Sequence, residues 1–115
     1  MDKSALYKRV LDSINDGEDV WNMSLERYNG MRRKANEVCR AMKELVMKCY
    51  DDVMSEYSKA LAEDRRPVTS DIKRDWQCSA AEEWDFLTGE EAAEQFDTLY
   101  REIAEDRKYE ALGYI

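Results

Sequence analysis

Carboxylates are the side chains in this sequence whose type and spacing could do chemistry. Between Arg74 and Arg101 the chain carries eight aspartates and glutamates and no basic residue. Such a run could hold a metal ion, or it could present a negative surface to a basic partner. The eight acidic residues are Asp75, Glu82, Glu83, Asp85, Glu90, Glu91, Glu94 and Asp97.

Other residues that catalysis commonly needs are missing. The sequence contains no histidine, which removes the commonest general base and the histidine-dependent serine and cysteine nucleophiles. Cys39, Cys49 and Cys78 form no Cys-x-x-Cys pair, and there is no glycine-rich phosphate-binding loop. We therefore expect a protein that is not an enzyme, that binds no cofactor and no metal, and that keeps its cysteines reduced in the cytoplasm.

Residues 90–94, Glu-Glu-Ala-Ala-Glu, match the pattern E-E-x-x-E. The segment resembles half of the magnesium-binding pattern of the all-α nucleoside triphosphate pyrophosphohydrolases of the MazG type. The resemblance implies a magnesium site that an E-x-x-D pair on a later helix would complete. Here Glu102 is followed by Glu105 where the pattern has Asp, so the match covers five residues only. Magnesium-dependent hydrolysis of a nucleotide is therefore one hypothesis for this chain, and it ranks after the two binding functions described at the end of this section.

Helical spacing would turn part of the acidic run into a continuous surface. Glu90, Glu94 and Asp97 fall on one face of a predicted helix, opposite Ala92 and Phe96. Side chains one turn apart are about 5–6 Å from each other, comparable with successive phosphates along a nucleic-acid strand. We expect this surface to occupy the basic groove of a protein that handles nucleic acid. The alternative is that these carboxylates are only the solvated faces of amphipathic helices.

Aromatic residues accompany the acidic run. Trp76 and Trp84 are eight residues apart on one helical face, where core packing is expected, whereas Phe86 is off that face. Interfaces often centre on an aromatic side chain surrounded by charges, so Phe86 is predicted to be an exposed anchor. The predicted partner-binding residues are Glu82, Glu83, Asp85, Phe86, Glu90, Glu91, Glu94 and Asp97.

The net charge of −8 resides in the C-terminal part of the chain. Residues 1–66 contain 13 basic and 13 acidic residues, whereas residues 67–115 contain 5 basic and 13 acidic ones. Arg32, Arg33 and Lys34 form the only basic cluster. In a chain this acidic, direct binding to nucleic acid is not expected.

Composition and periodicity predict an all-α fold. One proline, four glycines and 38% charged residues are typical of long helices, and no strand-like alternation is present. Apolar residues recur at steps of three or four from Met31 onward, which predicts one long central helix over about 31–64. Residues 1–115 are predicted to form a single domain, a bundle of four to five helices. Its parts are a charge-balanced segment, 1–66, and an acidic helical pair, 67–115.

Two shorter helices are predicted before the long one. The first covers about Lys3–Ile14 and the second Asp19–Asn29, with a turn at residues 15–17 between them. Gly30 is expected to weaken or kink the chain at the start of the long helix, because glycine is a poor helix former.

Capping residues predict the C-terminal helices. Pro67 ends the long helix, and Thr69 or Ser70 starts a helix that continues to Leu87. Residues 88–91, Thr-Gly-Glu-Glu, predict a capping box at the start of the last helix, and Gly113 predicts its end.

Together these features predict a small protein that acts by binding another macromolecule. Its size, chemistry and acidic surface suit a phage-encoded inhibitor of a bacterial defence nuclease, of the anti-CRISPR kind. They equally suit an immunity protein or antitoxin against a nuclease. The predicted partner is a protein with a basic surface, and neither direct nucleic-acid binding nor a membrane is involved. The alternative is a self-associating helical scaffold or adaptor, a homodimer through the long helix along Val38–Tyr57.

Overall fold

Four α-helices, with no strand, account for the part of the chain that the structure describes, residues 3–15 and 23–113. The computed structural model confirms the predicted all-α bundle and its long central helix. None of the helices described is long and apolar enough to cross a membrane. The helices are α1 (Lys3–Asn15), α2 (Leu25–Ala62), α3 (Ser70–Glu83) and α4 (Gly89–Leu112).

The long helix α2 begins six residues before the predicted start. Ser24 caps it, since its hydroxyl accepts a hydrogen bond from the Arg27 amide at 3.2 Å. The helix then runs through Gly30 without interruption, so Gly30 does not end a helix. Residues 25–29 of the predicted second helix therefore belong to α2, and its residues 19–22 lie outside the described part, as do residues 16 and 17 of the predicted turn.

A single apolar face of α2 organises the core. Helices α1, α3 and α4 each pack against α2, and α3 also packs against α4. All four helices contribute to one cluster of buried side chains. The buried residues of α2 are Met31, Ala35, Met42, Leu45, Val46, Cys49, Val53 and Ala60.

The molecule is long and thin. Its principal extents are 63 × 33 × 19 Å and its radius of gyration is 17.5 Å, against about 13 Å for a compact chain of this length. Its accessible surface is 8341 Å², against about 6,600 Å² for a compact protein of 13.6 kDa. The extra surface follows from covering one long helix on one side only.

The C-terminal end of α2, at Ala62, is fixed by a local network and lies two residues before the predicted end at about residue 64. Asp64 takes a left-handed conformation, and the Arg65 amide donates back to the Ala60 carbonyl at 3.0 Å, which closes the helix. The Glu56 carboxylate accepts two hydrogen bonds from Arg65, at 2.9 and 3.0 Å, and one from the Val68 amide at 2.7 Å. These bonds lower the pKa of Glu56 to about 2.

We predict that Gly30→Ala stabilises the protein by about 0.5–1 kcal/mol. A β-carbon at Gly30 would meet no atom within 4 Å, and alanine is the better residue inside a helix. The matched control is Gly113→Ala. Gly113 ends α4 at a φ of 80°, which alanine adopts only at a cost, so this substitution should destabilise the protein by about 1 kcal/mol. Urea denaturation followed by circular dichroism measures both changes. A loss of stability in Gly30→Ala would contradict this prediction.

Candidate functional site

The connection between α3 and α4 forms the corner of the molecule where the acidic run lies. Helix α3 ends at Glu83, four residues before its predicted end, and the chain reverses before the cap of α4. Trp84 and Leu87 are buried in this connection, and the Trp84 ring lies 6.2 Å from that of Phe96. A short bond from the Leu87 amide to the Trp84 carbonyl, 3.0 Å, closes the turn. Two buried side chains, Trp84 and Leu87, therefore anchor this connection to the core.

The capping box predicted for α4 is confirmed. The Thr88 hydroxyl accepts from the Glu91 amide at 3.2 Å, and the Glu91 carboxylate accepts from the Thr88 amide at 3.0 Å. This reciprocal pair fixes where α4 begins and therefore which side chains of its first turns face outward.

Five of the predicted partner-binding carboxylates lie exposed on the segment that contains this turn. We call them the acidic corner: they are Glu82, Glu83, Asp85, Glu90 and Glu94. No salt bridge within the described residues engages Glu82, Glu83, Asp85 or Glu90.

The C-terminal end of α3 and the N-terminal end of α4 meet at the acidic corner, and negative charge has opposite effects on helix stability at these two ends. Glu90 and Glu91 lie in the first turn of α4, where a negative charge stabilises the helix dipole. Glu82 and Glu83 lie at the C-terminal end of α3, where there is no basic residue in the last turn and a negative charge opposes the dipole. Each such charge costs roughly 0.3–1 kcal/mol. Glu82 and Glu83 are therefore not explained by helix stability.

Glu91 was predicted to face a partner, and the structure gives it an internal contact. Arg9 of α1 holds both carboxylate oxygens, with Nη2 donating to Oε1 at 2.8 Å, and the same Nη2 donates to the Phe86 carbonyl at 3.1 Å. The Arg9 hydrogen bonds and the Thr88 amide lower the pKa of the Glu91 carboxyl. The pair joins α1 to the start of α4. Arg9 and Glu91 are 82 residues apart, and no local pattern in the sequence indicates their contact.

Phe86 is half-buried and packs against the core, so only part of its ring is available at the surface. The predicted exposed anchor is thus partly covered. Trp76, expected in the core, is also half-buried, and its indole N–H donates to Asp52 of α2 at 2.8 Å.

Asp97 is exposed one turn beyond Glu94 of the acidic corner. It lines a shallow cleft of about 310 Å³ with Lys73 and Arg101, so two basic side chains share its surroundings. The Lys73 ammonium also lies 4.3 Å from the centre of the Tyr100 ring. The face expected from Glu90 through Asp97 thus borders the basic side chains of Lys73 and Arg101 at its Asp97 end.

The basic cluster of Arg32, Arg33 and Lys34 lies in the first half of α2. The Arg32 guanidinium donates to the Tyr7 hydroxyl at 3.4 Å and lies 6.0 Å from the centre of the Tyr28 ring. Arg33 and Lys34 are exposed. Arg32 thus contributes to the packing of α1 on α2.

The carboxylates of the E-E-x-x-E segment do not form a metal cage. Among residues 3–15 and 23–113, no group of three or more histidine, cysteine or acidic side chains could hold a metal ion. Glu91, the middle acid of the pattern, is held by Arg9. The geometry therefore gives the five-residue resemblance no support.

Comparison of this chain with protein-family models, with curated proteins and with solved structures found no match.

We predict that the Arg9–Glu91 pair makes the stability of the fold depend on pH in the acidic range. The folded pKa of Glu91 lies below its ordinary value of 4.5, so the pair stabilises the fold above about pH 4.5. That contribution is lost as the pH falls through the lowered pKa, because the unfolded state then binds the proton more readily. Glu91→Gln should lower the melting temperature at pH 7, and its difference from the wild type should shrink at pH 3.

Thermal unfolding followed by circular dichroism at several pH values measures this difference. Glu90→Gln is the matched control, because Glu90 is in the same turn without a salt bridge to a described residue. A Glu91→Gln effect that is equally large at pH 7 and pH 3 would contradict an ionic origin.

Proposed function

We propose that this protein is a non-catalytic binding protein whose acidic corner blocks a basic, nucleic-acid-handling protein. The observation that carries the proposal is the pair Glu82 and Glu83, which are exposed at the helix end where negative charge is unfavourable. Sequences that are locally consistent avoid such placements, and departures from that rule are expected at functional positions.

The electrostatics of the corner favour a basic partner. The negative end of the α3 dipole adds to the charges of Glu82, Glu83 and Asp85, and Glu90 lies two residues into the next helical segment. Glu90 and Glu94 are one turn apart, about 5–6 Å, on an exposed face. A surface of this kind accelerates encounter with a positively charged groove and competes with nucleic acid for it.

Two biological forms fit this mechanism equally. One is a phage-encoded inhibitor of a bacterial defence nuclease, and the other is an immunity protein or antitoxin that neutralises a nuclease. Both require a folded protein with a fixed acidic surface and no catalytic groups of its own. Both also place the protein in the cytoplasm beside its partner.

A triple charge reversal tests the proposal. Glu82→Lys, Glu83→Lys and Glu90→Lys together remove the corner's charge, and their helix-dipole effects oppose each other, so the fold should be retained. The matched control reverses three exposed glutamates elsewhere: Glu44, Glu105 and Glu110.

Tagged wild type, triple variant and control are used to capture proteins from host lysate at low and then high salt. We expect a basic nucleic-acid-binding protein with the wild type and the control, weakened at least tenfold in the triple variant and displaced by added DNA or RNA. If the purified partner binds the triple variant equally, or holds nucleic acid and this protein together, the proposal is wrong.

A second candidate function is a self-associating scaffold, and one exposed apolar stripe favours it. Most of the predicted dimer surface along α2 is buried within the chain by the other helices. The part that remains exposed is near the C-terminal end of α2, where Met54, Tyr57 and Leu61 lie on one side and Leu61 is 84% exposed. A second copy packed there would cover this stripe.

Self-association through this stripe predicts a dimer at micromolar concentration that Leu61→Lys converts to monomer. The matched control is Leu25→Lys, since Leu25 is 75% exposed at the opposite end of the same helix. Sedimentation velocity distinguishes the species. A wild type that is monomeric throughout the micromolar range removes the scaffold function.

A further inference from the structure

A second apolar seam runs along the C-terminal half of α2, beside the face that forms the core. Its members follow each other at alternating steps of three and four residues, which is the spacing of a coiled-coil seam. By helical geometry it lies roughly 100° around α2 from the buried face. We call it the second seam, and its residues are Met47, Tyr50, Met54, Tyr57 and Leu61.

The fold covers the start of the second seam and leaves the rest open. Its first two residues pack against the core, and the Tyr100 ring of α4 lies 5.7 Å from the Tyr50 ring. Exposure then rises along the seam, from 37% at Met54 to 84% at Leu61. The seam therefore continues beyond the helix that covers it, as an apolar surface that another helix would fit.

No charged side chain interrupts the exposed part of the second seam. Residues 53–62 contain two charged residues, Glu56 and Lys59. The Glu56 carboxylate is bonded to Arg65 and to the Val68 amide at the end of α2. Lys59 lies on the opposite side of the helix, roughly 160° from the seam. A helix with an apolar seam of its own would therefore pack there without burying a charge.

Charges of opposite sign flank the exposed part of the second seam, and they favour a second copy in the antiparallel direction. Asp51 lies beside its start and Arg66 follows the end of α2, and both are exposed. Arg66 forms no salt bridge with a described residue. Antiparallel pairing places Asp51 of each chain beside Arg66 of the other, whereas parallel pairing brings like charges together. A parallel copy would also meet α4, which already covers the start of the seam.

The chain has enough surface to accommodate a second copy. Its accessible surface of 8341 Å² exceeds that of a compact protein of the same mass by about 1,700 Å². Half of this excess matches the area that each partner buries in a standard interface, about 800 Å². The exposed seam is short, so we expect a dimer of micromolar and not nanomolar affinity.

We propose that the second seam pairs with the second seam of another copy of this chain, antiparallel, about a twofold axis near Ser58. The inference rests on self-association, the second candidate function, and specifies its geometry. Met54 of each chain packs beside Leu61 of the other, and the two Tyr57 rings lie near the crossing. The acidic corner lies at the other end of α3, whose 14 residues span about 21 Å. The dimer therefore presents two acidic corners, and neither is covered by the pairing.

Disulfide formation distinguishes the two directions of pairing. Ser58→Cys should give a covalent dimer under mild oxidation, because in an antiparallel pair only a residue near the axis meets its own copy. Asp51→Cys is the matched control, on the same edge of the seam and one heptad earlier. Antiparallel pairing separates its two copies by about 21 Å along the helix, too far for a disulfide, whereas parallel pairing would link both variants.

Both cysteine variants are made in a chain that also carries Cys78→Ser, because Cys78 is exposed. Gel electrophoresis without reducing agent measures the linked fraction. We expect linkage of Ser58→Cys and not of Asp51→Cys.

Exchange of charge between chains is an independent test. Asp51→Arg and Arg66→Asp should each weaken the dimer about tenfold, since each places like charges side by side in two symmetric pairs. An equimolar mixture of the two variants should regain the wild-type affinity, because each altered residue then meets the other. Mixing cannot restore the Asp51–Arg107 contact within one chain, so a regained affinity reports on the interface. Lys59→Asp, on the opposite side of α2, is the control and should leave the affinity unchanged.

Sedimentation velocity separates this pairing from self-association itself. A wild type that is monomeric throughout the micromolar range removes both, and leaves the seam to solvent or to a helix of another protein. A dimer that Leu61→Lys dissociates keeps the scaffold function. If Asp51→Cys then links as readily as Ser58→Cys, or if the mixed charge variants stay weak, the antiparallel pairing is overturned and self-association stands.

Discussion

The apolar face of α2 is the constraint on which the rest of the structure depends. An isolated helix is only marginally stable in water, so a 38-residue helix with eight buried positions needs other elements to cover that face. Helices α1, α3 and α4 all pack on it. The smallest extent of 19 Å is about two helix diameters, because the covering helices lie in one layer. This arrangement gives the small protein a large surface. The proposed binding functions use that surface.

The Arg9–Glu91 contact determines how the acidic residues are divided. Arg9 engages one carboxylate and one backbone carbonyl of the α3–α4 segment, and so attaches α1 to it. Glu91 is therefore committed to the fold, and the capping box gives it a second internal role. By contrast, no salt bridge within the described residues engages Glu82, Glu83 or Asp85. The eight-residue acidic run is one feature in the sequence, but its members differ in the fold: Glu91 is bonded internally, whereas Glu82, Glu83 and Asp85 are exposed.

Local signals in the sequence predicted what local interactions determine. The stripe of apolar residues predicted α2, and the Thr88 cap and Gly113 predicted both ends of α4. The sequence did not show that α2 continues through Gly30, because the helix cost of glycine is small beside the packing of the neighbouring Met31 and Ala35. The end of α3 was misplaced because burial of Trp84 and Leu87 continues beyond the helix, so apolar spacing alone did not mark the boundary.

Non-local contacts could not be predicted in this way. No pattern relates Arg9 to Glu91, or places Lys3 beside Arg40 and Lys43 in the groove that α1, α2 and α4 line, because each contact joins different helices. The charge count of the sequence was misleading at this point, since a chain with a net charge of −8 nevertheless has a basic groove. Charge acts over about 8–10 Å at physiological salt, so the local arrangement of side chains decides which ligand a site attracts.

Helix α1 links the two regions of opposite charge. Its Arg9 contacts the segment that carries the acidic corner, while its Lys3, Leu6 and Tyr7 line the groove. The Tyr7 hydroxyl, in turn, accepts a hydrogen bond from Arg32 of α2. A protein bound at the acidic corner would therefore act on α1 through the Arg9–Glu91 pair, which is its main polar attachment to α4 in the described structure. The exposed part of the second seam lies on the last turns of α2, beyond the N-terminal end of α1, so pairing of two copies there leaves this attachment in place.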